Sequence, residues 1–394
     1  MTITLSSRIQ RVKPSPTLAV TALANQLRAE GRDVIGLAAG EPDFDTPDYI
    51  KTAAIDAINK GYTRYTAVDG TPGLKQAIIN KFKNENALDF AMDQILVSVG
   101  GKQAFYNLCM TLLDEGDEVI IPAPYWVSYP DIVKLADATP VIVKGDISQA
   151  FKITAQQLEN AITERTKLVV INSPSNPTGK AYTRAELKAL GEVLAKHPDI
   201  VVMSDDIYEH IVWTDEGFNN ILNVCPELKD QTVVINGVSK AYAMTGWRIG
   251  YSGGPPVIIA GMKKIQSQST SNPTSIAQYA SQAALEGDQG FLKDTCATFR
   301  ERHDYVYKTL SEMDGVEVLP SDGTFYSFPS FQAVIDRMDG ISNDVELAQL
   351  ILEQAEVALV PGSAFGLDGY LRLSFATDMT SLEKALDRIR QTIE

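Results

Sequence analysis

The sequence predicts an α/β fold, with a mostly parallel central sheet, helices on both faces, and a smaller α+β domain built from the two chain ends. Three observations lead to this expectation. The chain has 394 residues, which is too many for one small core. Its middle alternates short runs rich in valine and isoleucine with stretches whose apolar residues recur at helical spacing. Toward its end, a helix-rich region is followed by two apolar runs and an amphipathic helix.

Six apolar runs are the candidate strands of the central sheet. Each run is short, rich in β-branched residues and bounded by turn-forming residues, which is typical of a strand buried on both faces. In chain order they are QILVSV, DEVIIP, TPVIV, KLVVINSP, DIVVMSD and QTVVING.

Stretches with helical periodicity lie between these runs. The candidate helices are LKQAIINKFKNEN, KQAFYNLCMTLL, YPDIVKLA and RAELKALGEVLAKH. Strands that alternate with helices predict parallel connections. We expect residues 49–289 to form this large domain. Residues 1–48 would supply an N-terminal arm and part of the small domain, and residues 290–394 would complete it.

Composition excludes several classes of partner. Lysine and arginine number 35 against 50 acidic residues, and the net charge of −15 disfavours nucleic acid or an anionic membrane. Three unpaired cysteines suggest a reducing compartment, and three scattered histidines argue against a histidine-rich metal site. The N-terminus shows no signal-peptide pattern, and no run is long enough to span a membrane. These features predict a cytoplasmic protein.

Polar residues of unusual type follow four of the strand candidates. Gly101 and Lys102 open a helix after the first candidate strand, where free backbone N–H groups suit a phosphate. Asn176 lies in a tight turn just after the run KLVVINSP. The DIVVMSD strand ends in a pair of acids, which a tyrosine follows shortly afterwards. Lys240 follows the last candidate strand, with Arg248 close behind it in sequence. Loops at the carboxyl ends of parallel strands carry ligands, so these groups are expected to converge.

The chemistry of these groups indicates one ligand. A phosphate suits the glycine-rich helix start and Arg248, and a protonated ring nitrogen suits a carboxylate. A phenolic oxygen suits Asn176 and Tyr208, and a carbonyl carbon suits the amine of Lys240. Pyridoxal phosphate has all four features.

The sequence also resembles the class I, fold-type I aminotransferases that use pyridoxal phosphate, and in particular the bacterial aspartate aminotransferase branch that includes aspartate/prephenate enzymes. The resemblance runs nearly end to end and rests on nine motifs in matching order. They are KPSPT, LAAGEPDFDTP, YTAVDGTPGLKQAI, GGKQA, PYWVSYP, NSPSNPTG, SDDIYEH, GVSKAYAMTGWRIGY and LRLSFA.

This resemblance implies roles for residues around the cofactor ring. Lys240 is similar to the lysine that carries the cofactor and later moves a proton, and Asp205 to the carboxylate that pairs with the ring nitrogen. Tyr208 and Asn176 resemble the pair that hydrogen-bonds the phenolic oxygen, which lowers the pKa of the attached nitrogen. Trp126 resembles the aromatic residue that stacks on the ring.

The resemblance also implies a phosphate site shared between two subunits. Tyr65 is similar to a tyrosine that reaches the phosphate of the neighbouring subunit, which requires a homodimer. Gly237 departs from a serine that is frequent at its position, and this puts one hydroxyl contact in doubt. The phosphate-binding residues of the same subunit would be Gly101, Lys102, Ser239 and Arg248.

For the substrate, the resemblance implies two carboxylate sites. Arg372 is similar to the arginine that binds the α-carboxylate through its planar fork. Lys102 is the best candidate for a distal carboxylate, because the segment QSQSTSNPTS lacks the arginine that many relatives use. Two positions in KPSPT resemble ones linked to accepting prephenate, although the first could be a solvated arm. The implied substrate contacts are Gly40, Trp126, Asn176, Arg372, Lys102, Lys13 and Thr17.

The expected function is therefore an aspartate aminotransferase that works by a ping-pong reaction. It would transfer the amino group of L-aspartate to 2-oxoglutarate, giving oxaloacetate and L-glutamate, and would possess a further capacity to convert prephenate to arogenate. Three alternatives stay open: an aminotransferase of aromatic or other neutral amino acids, a lyase with the same cofactor, and a non-catalytic regulator. A regulator would need an added basic DNA-binding segment, whereas this sequence begins with the family's N-terminal arm.

Overall fold

The computed structural model describes residues 3–12, 14 and 16–394, without the side chains of residues 16–18. The strands, in chain order, are β1 (Ile35–Gly36), β2 (Ile95–Ser98), β3 (Glu118–Ala123), β4 (Thr139–Lys144), β5 (Thr166–Asn172), β6 (Val201–Asp205), β7 (Thr232–Gly237), β8 (Gly250–Gly253), β9 (Tyr326–Ser327), β10 (Val357–Ala358), β11 (Val360–Pro361) and β12 (Leu371–Ser374).

Helices cover both faces of the sheet. They are α1 (Ser7–Gln10), α2 (Pro16–Ala29), α3 (Asp48–Asn59), α4 (Pro72–Asn86), α5 (Gly100–Leu112), α6 (Ser128–Leu135), α7 (Ala155–Ala161), α8 (Arg184–Leu194), α9 (Ile221–Val224), α10 (Pro256–Ser267), α11 (Ser275–Glu286), α12 (Gly290–Ser311), α13 (Gln332–Arg337), α14 (Asp344–Leu350) and α15 (Met379–Ile393). Within the described residues, no helix is long and apolar enough to cross a membrane.

The central sheet has the order β2-β8-β7-β6-β5-β3-β4 in the described part of the chain. Strands β4, β3, β5, β6 and β7 are mutually parallel, which confirms the predicted α/β class. Strand β8 is antiparallel to both of its neighbours, so β2 runs in the same direction as β7. The six candidate strands are β2 to β7. Strand β8 was not predicted, because its residues GYSG show no apolar run.

Successive side chains of a strand point to opposite faces of the sheet and pack into two hydrophobic cores, one on each face. In β5, Val169 and Ile171 pack with residues of α3, α4, α8 and α11. Leu168 and Val170 point the other way and pack with residues of α5, α6 and α10. Burial on both faces explains why these strands read as continuous apolar runs in the sequence.

The two chain ends meet in a separate core. Ile35 in β1 pairs in parallel with Val357 in β10, and β12 pairs with β11 and β9 in an antiparallel sheet. Helices α12 and α15 cover these strands with residues such as Phe299 and Leu386. Tyr208, which follows β6 of the large sheet, is buried in this same core. The predicted domain boundaries at 48/49 and 289/290 stay predictions.

A buried ion pair fixes the segment that follows β6. Glu209 accepts hydrogen bonds from Lys81 in α4, from Asn86 Nδ2 at 2.6 Å and from Asn236 Nδ2 at 2.8 Å. The side chains of Lys81 and Glu209 are only 1% and 4% exposed. Burial raises the pKa of Glu209, but the charges of Lys81 and His210 and the hydrogen bonds from Lys81 and Asn86 together more than offset this and leave the pKa lowered. Glu209 therefore ties α4, the β6 loop and the end of β7 together.

We expect Lys81→Met to destabilise the protein by about 3–5 kcal/mol, since it leaves Glu209 buried without a cation. The double variant Lys81→Met/Glu209→Gln should recover much of this loss. The measurement is the urea concentration at the unfolding midpoint. Lys188→Met is the control, because the Lys188–Glu192 pair is 66% and 64% exposed and should contribute less than about 1 kcal/mol. Equal midpoints for Lys81→Met and Lys188→Met would contradict the role of the buried pair.

Candidate active site

A cavity of about 430 Å³ lies between the end of the large sheet and the small core. Residues at or just after the ends of β2, β5, β6 and β7 line one side of it, and Gly40, Tyr326 and Arg372 of the small core line the other. Of the residues predicted from the sequence, the cavity brings together Gly40, Gly101, Lys102, Trp126, Asn176, Asp205, Tyr208, Ser239, Lys240, Arg248 and Arg372.

Lys240 is placed by the turn that follows β7. Its Nζ donates to the backbone carbonyl of Gly40 at 2.5 Å and lies 5.8 Å from the ring centre of Tyr208. Burial lowers the pKa of Lys240 to about 8, and the positive charge of Arg372 contributes in the same direction. About a tenth of this lysine is therefore a neutral amine at pH 7, far more than for an ordinary lysine, and a nucleophile or a proton carrier requires that neutral form.

The carboxylate of Asp205 terminates β6 and lines the cavity. Its Oδ2 accepts a hydrogen bond of 2.5 Å from the Tyr129 hydroxyl, and its Oδ1 accepts one of 3.3 Å from the Ile207 N–H. Burial raises the pKa of Asp205, whereas these two hydrogen bonds lower it. Acidic Asp206, the next residue, turns away and bonds to Ser204, at 2.6 Å, and to Asn220.

Two tyrosine hydroxyls meet at the boundary between the two parts of the molecule. Tyr208 Oη and Tyr326 Oη lie 2.9 Å apart. Burial raises the pKa of both phenols, so both stay protonated at neutral pH and one can donate to a ligand. A Cβ at position 40 would lie 2.8 Å from Tyr326 Oη, which explains why Gly40 has no side chain.

Arg372 in β12 is a buried cation held between two aromatic rings. Its guanidinium carbon lies 4.5 Å from the Tyr326 ring centre and 5.0 Å from that of Phe365. It donates to Asn176 Oδ1 at 3.0 Å and to the Ala38 carbonyl at 2.6 Å, while its Nε has no partner. Among the described residues no carboxylate pairs with this arginine, although it is only 2% exposed. A buried, unpaired guanidinium favours an anionic ligand.

A second cationic region surrounds the N-terminus of α5. Arg248 has a left-handed backbone, with φ of 60°, and donates to the carbonyls of Thr245 and Val99 at 3.0 and 3.4 Å. A Cβ at Gly100 would collide with the Arg248 guanidinium, and a Cβ at Gly250 would collide with the backbone of Gly100. These glycines therefore allow the arginine to approach the helix start, where unpaired N–H groups and the helix dipole favour an anion.

Lys102 lies in the first turn of α5, beside Arg248. Its Nζ is 5.1 Å from the Trp126 ring centre. Burial lowers the pKa of Lys102, and the charge of Arg248 lowers it further. The cavity thus contains four cations, at positions 102, 240, 248 and 372, in a chain whose net charge is −15. Two acids, Asp205 and Glu41, also line it.

Tyr65 does not line the cavity, and two other predicted residues lie wholly or partly outside the described structure. Tyr65 is 92% exposed on the loop before α4. Lys13 lies outside the described residues, and so does the side chain of Thr17, whose backbone belongs to α2. Gly237 lies at the end of β7, where a Cβ would come within 2.9 Å of the Ile249 carbonyl. Its departure from serine thus matches a tight backbone approach.

Several cavity residues were not predicted, and Tyr129 and Tyr326 are the two that contact predicted residues through their hydroxyls. Tyr129 falls in the candidate helix YPDIVKLA, Tyr326 falls in no candidate strand, and both are almost completely buried. The only signal for Tyr129 was its place in the motif PYWVSYP, shortly after Trp126. For Tyr326 we find no local signal.

The chain is similar to known proteins over nearly its whole length. The family model for aminotransferase class I and II matches residues 32–389. An aspartate/prephenate aminotransferase of Nitrosomonas europaea is 58% identical over 390 residues, which cover 98% of each chain. The crystal structure of the Rhizobium meliloti aspartate aminotransferase matches with a TM-score of 0.96 and 47% identity, covering 100% of this chain and 99% of that chain. The Thermus thermophilus aspartate aminotransferase with maleate matches with a TM-score of 0.94 and 40% identity, covering 99% and 100%.

The family match spans most of the chain, and the similarity to these relatives extends over nearly the whole length of each protein. The resemblance noted in the sequence is therefore confirmed. The chain belongs to the class I and II aminotransferase family and is a pyridoxal-phosphate-dependent aminotransferase.

Proposed function

We propose that this protein is an aspartate aminotransferase that binds pyridoxal phosphate in the cavity and transfers the amino group of L-aspartate to 2-oxoglutarate. Prephenate is proposed as a further amino acceptor, in keeping with the name of the Nitrosomonas relative. One observation carries the proposal: a buried amine, Lys240, lies in a cavity whose other cations have no carboxylate partner among the described residues. Such a site suits a substrate with two carboxylates.

The residues of the cavity fit the cofactor at both of its charged ends. The N-terminus of α5, with Ser239 and Arg248, would hold the phosphate, and the close approach of Arg248 over Gly100 leaves an anion site there. Asp205 would hold the ring nitrogen as a cation. Tyr208 and Asn176 would bind the phenolic oxygen, and Trp126 would stack on the ring.

When bound, pyridoxal phosphate supplies an electron sink that stabilises negative charge developing at the substrate Cα. Lys240 would hold the cofactor and, as a free amine, would take a proton from the substrate Cα. Its pKa of about 8 allows it both to accept and to return that proton near neutral pH. The Gly40 carbonyl, at 2.5 Å, orients the amine.

Arg372 would bind the substrate α-carboxylate. Its fork lies between the rings of Tyr326 and Phe365, which fix its plane, and the hydrogen bond to Asn176 places it next to a residue that contacts the cofactor. A planar donor pair matches the geometry of a carboxylate. Gly40 leaves room beside it.

Lys102 would bind the distal carboxylate of the substrate. It lines the same cavity, and no carboxylate among the described residues pairs with it. Its position over Trp126 keeps the ammonium near the stacking residue. The Thermus relative was crystallised with maleate, a small dicarboxylate, which supports two anion sites in this fold. Lys13 and Thr17 remain proposed contacts for prephenate.

A homodimer would complete the site through Tyr65. In the single chain this tyrosine is 92% exposed, and Ile55, Ile58 and Tyr62, which precede it in sequence, are also exposed. The loop that carries Tyr65 is nevertheless fixed from inside. Gln278, which is fully buried, donates to Thr66 Oγ1 at 3.1 Å and accepts from the Thr71 N–H at 2.8 Å. A rigid loop with an exposed aromatic tip suits insertion into a partner subunit's site.

Lys240→Ala should lower turnover by a factor on the order of a thousand or more, because both the attachment point and the proton carrier are lost. Borohydride reduction followed by mass spectrometry should detect a covalent cofactor adduct on the wild-type peptide and none on the variant. Lys83→Ala, which removes an exposed charge, is the control. Normal transamination by the Lys240 variant would rule out this mechanism.

Lys102→Ala should reduce kcat/KM for aspartate by about tenfold or more while affecting phenylalanine much less, because only aspartate has a second carboxylate. Arg372→Ala should reduce both, since every amino acid has an α-carboxylate. The measurement is kcat/KM for the two donors with a common acceptor. Equal losses for aspartate and phenylalanine in the Lys102 variant would assign Lys102 to the cofactor and not to specificity.

Mixing two inactive variants tests the shared site. Lys240→Ala and Tyr65→Ala subunits, unfolded and refolded together, should regain activity, because each mixed dimer contains one site with both native residues. At equal proportions about a quarter of all sites should be intact. Each variant refolded alone is the control. No recovery in the mixture, with dimers verified by sedimentation, would show that Tyr65 does not act across the interface.

A further inference from the structure

Asp205 accepts its shortest hydrogen bond from Tyr129, a residue with no role predicted from the sequence. The Tyr129 hydroxyl donates to Asp205 Oδ2 at 2.5 Å, while the other carboxylate oxygen receives only a 3.3 Å hydrogen bond from the Ile207 N–H. Short contacts between a hydroxyl and a carboxylate are among the stronger hydrogen bonds. Tyr129 is therefore the main partner of this carboxylate in the described structure.

The Tyr129 ring is fixed on two sides. Its centre lies 5.0 Å from that of Phe105 and 5.2 Å from that of Trp126, with interplanar angles of 73° and 85°. Such edge-to-face contacts set the ring orientation and hence the direction of the hydroxyl. The residue is 1% exposed, so water does not compete for its hydrogen bond. Tyr129 thus links the aromatic residue proposed to stack on the cofactor with the carboxylate proposed to pair with its ring.

The protonation states favour this arrangement. Burial raises the pKa of Tyr129 well above its usual value, and the charge of Asp205 raises it further, so the phenol keeps its proton. Burial also raises the pKa of Asp205, and the hydrogen bond from Tyr129 is the largest effect that opposes this rise. Without the donor, the carboxylate would more readily take up a proton and would no longer attract a cation.

We propose that Tyr129 is a positioning residue that holds Asp205 as an oriented anion, and that it thereby secures the protonated ring nitrogen of the cofactor. The inference rests on the proposed binding of pyridoxal phosphate. It adds a residue whose hydroxyl acts through Asp205 and not through direct contact with the substrate.

The test compares two cofactors in two proteins. Full-length wild type and Tyr129→Phe, both freed of cofactor, are titrated with pyridoxal phosphate and with an analogue in which C–H replaces the ring nitrogen. Tyr129→Phe keeps the ring contacts and removes only the hydroxyl. The variant should bind pyridoxal phosphate about tenfold or more weakly. It should bind the analogue with little change, because the analogue offers no ring nitrogen to the carboxylate.

Tyr182→Phe is the matched control. Tyr182 is also buried, and its hydroxyl accepts from the Ile153 N–H at 3.1 Å, away from the carboxylate. This variant should keep the wild-type ratio of the two dissociation constants. Thermal unfolding of each cofactor-free protein checks that the fold is retained. In addition, Tyr129→Phe should have little further effect on pyridoxal phosphate affinity in an Asp205→Asn background, since the carboxylate is already absent.

The outcomes separate the two levels of inference. If Tyr129→Phe weakens both ligands equally, the tyrosine has a structural role only and the proposal is overturned. If wild type binds both ligands equally well, Asp205 does not pair with the ring nitrogen, and the proposed cofactor orientation fails before Tyr129 is considered. The positioning role is supported if the dissociation constant of the analogue, divided by that of pyridoxal phosphate, falls in Tyr129→Phe and stays at the wild-type value in Tyr182→Phe.

Discussion

The site depends on one geometric constraint, which is that strands of the same direction end at the same edge of a sheet. Strands β2, β5, β6 and β7 all run one way, so the residues that follow them lie side by side. Strand β8 runs the other way, and its beginning lies at that edge because Gly250 is paired with both Ser98 and Gly237. Arg248, two residues before Gly250, is thereby placed beside the helix start that follows β2. Groups far apart in sequence consequently share one cavity.

The second constraint is that a buried charge needs a partner of opposite charge. Two parts of the molecule meet this constraint in different ways. Lys81 and Glu209 compensate each other inside the protein, with asparagine side chains completing their hydrogen bonds. Arg372, in contrast, pairs with no carboxylate among the described residues and lies between two aromatic rings. Burying a cation without a counter-charge is costly, so the fold retains a site in which a substrate anion would complete the arrangement. The first pair stabilises the structure, and the second cation is left for the ligand.

These two constraints also explain how far the sequence could be interpreted. Six strands, the principal helices and the α/β class follow from apolar patterns, because strands buried on both faces leave long apolar runs. Strand β8 was not predicted because GYSG lacks such a run. Its Gly250 lies against the backbone of the α5 start, where a side chain would not fit. Glu209 carried no separate signal in SDDIYEH, since nothing local distinguishes an acid that pairs with Lys81 from one that faces the cavity.

The sequence by itself determined the class of fold, the family and the chemical types available at the strand ends, because local patterns and motif order are written in consecutive residues. Tertiary structure alone decided which side chains meet across long separations. Tyr129 reaches Asp205 over 76 positions, Tyr326 reaches Tyr208 over 118, and Arg372 reaches Asn176 over 196. Such contacts depend on the packing of helices and strands against each other, and the hydrogen bonds that adjust a carboxylate or a phenol act over about 3 Å. No local pattern specifies distances of that size, so these contacts could be found only in the folded chain.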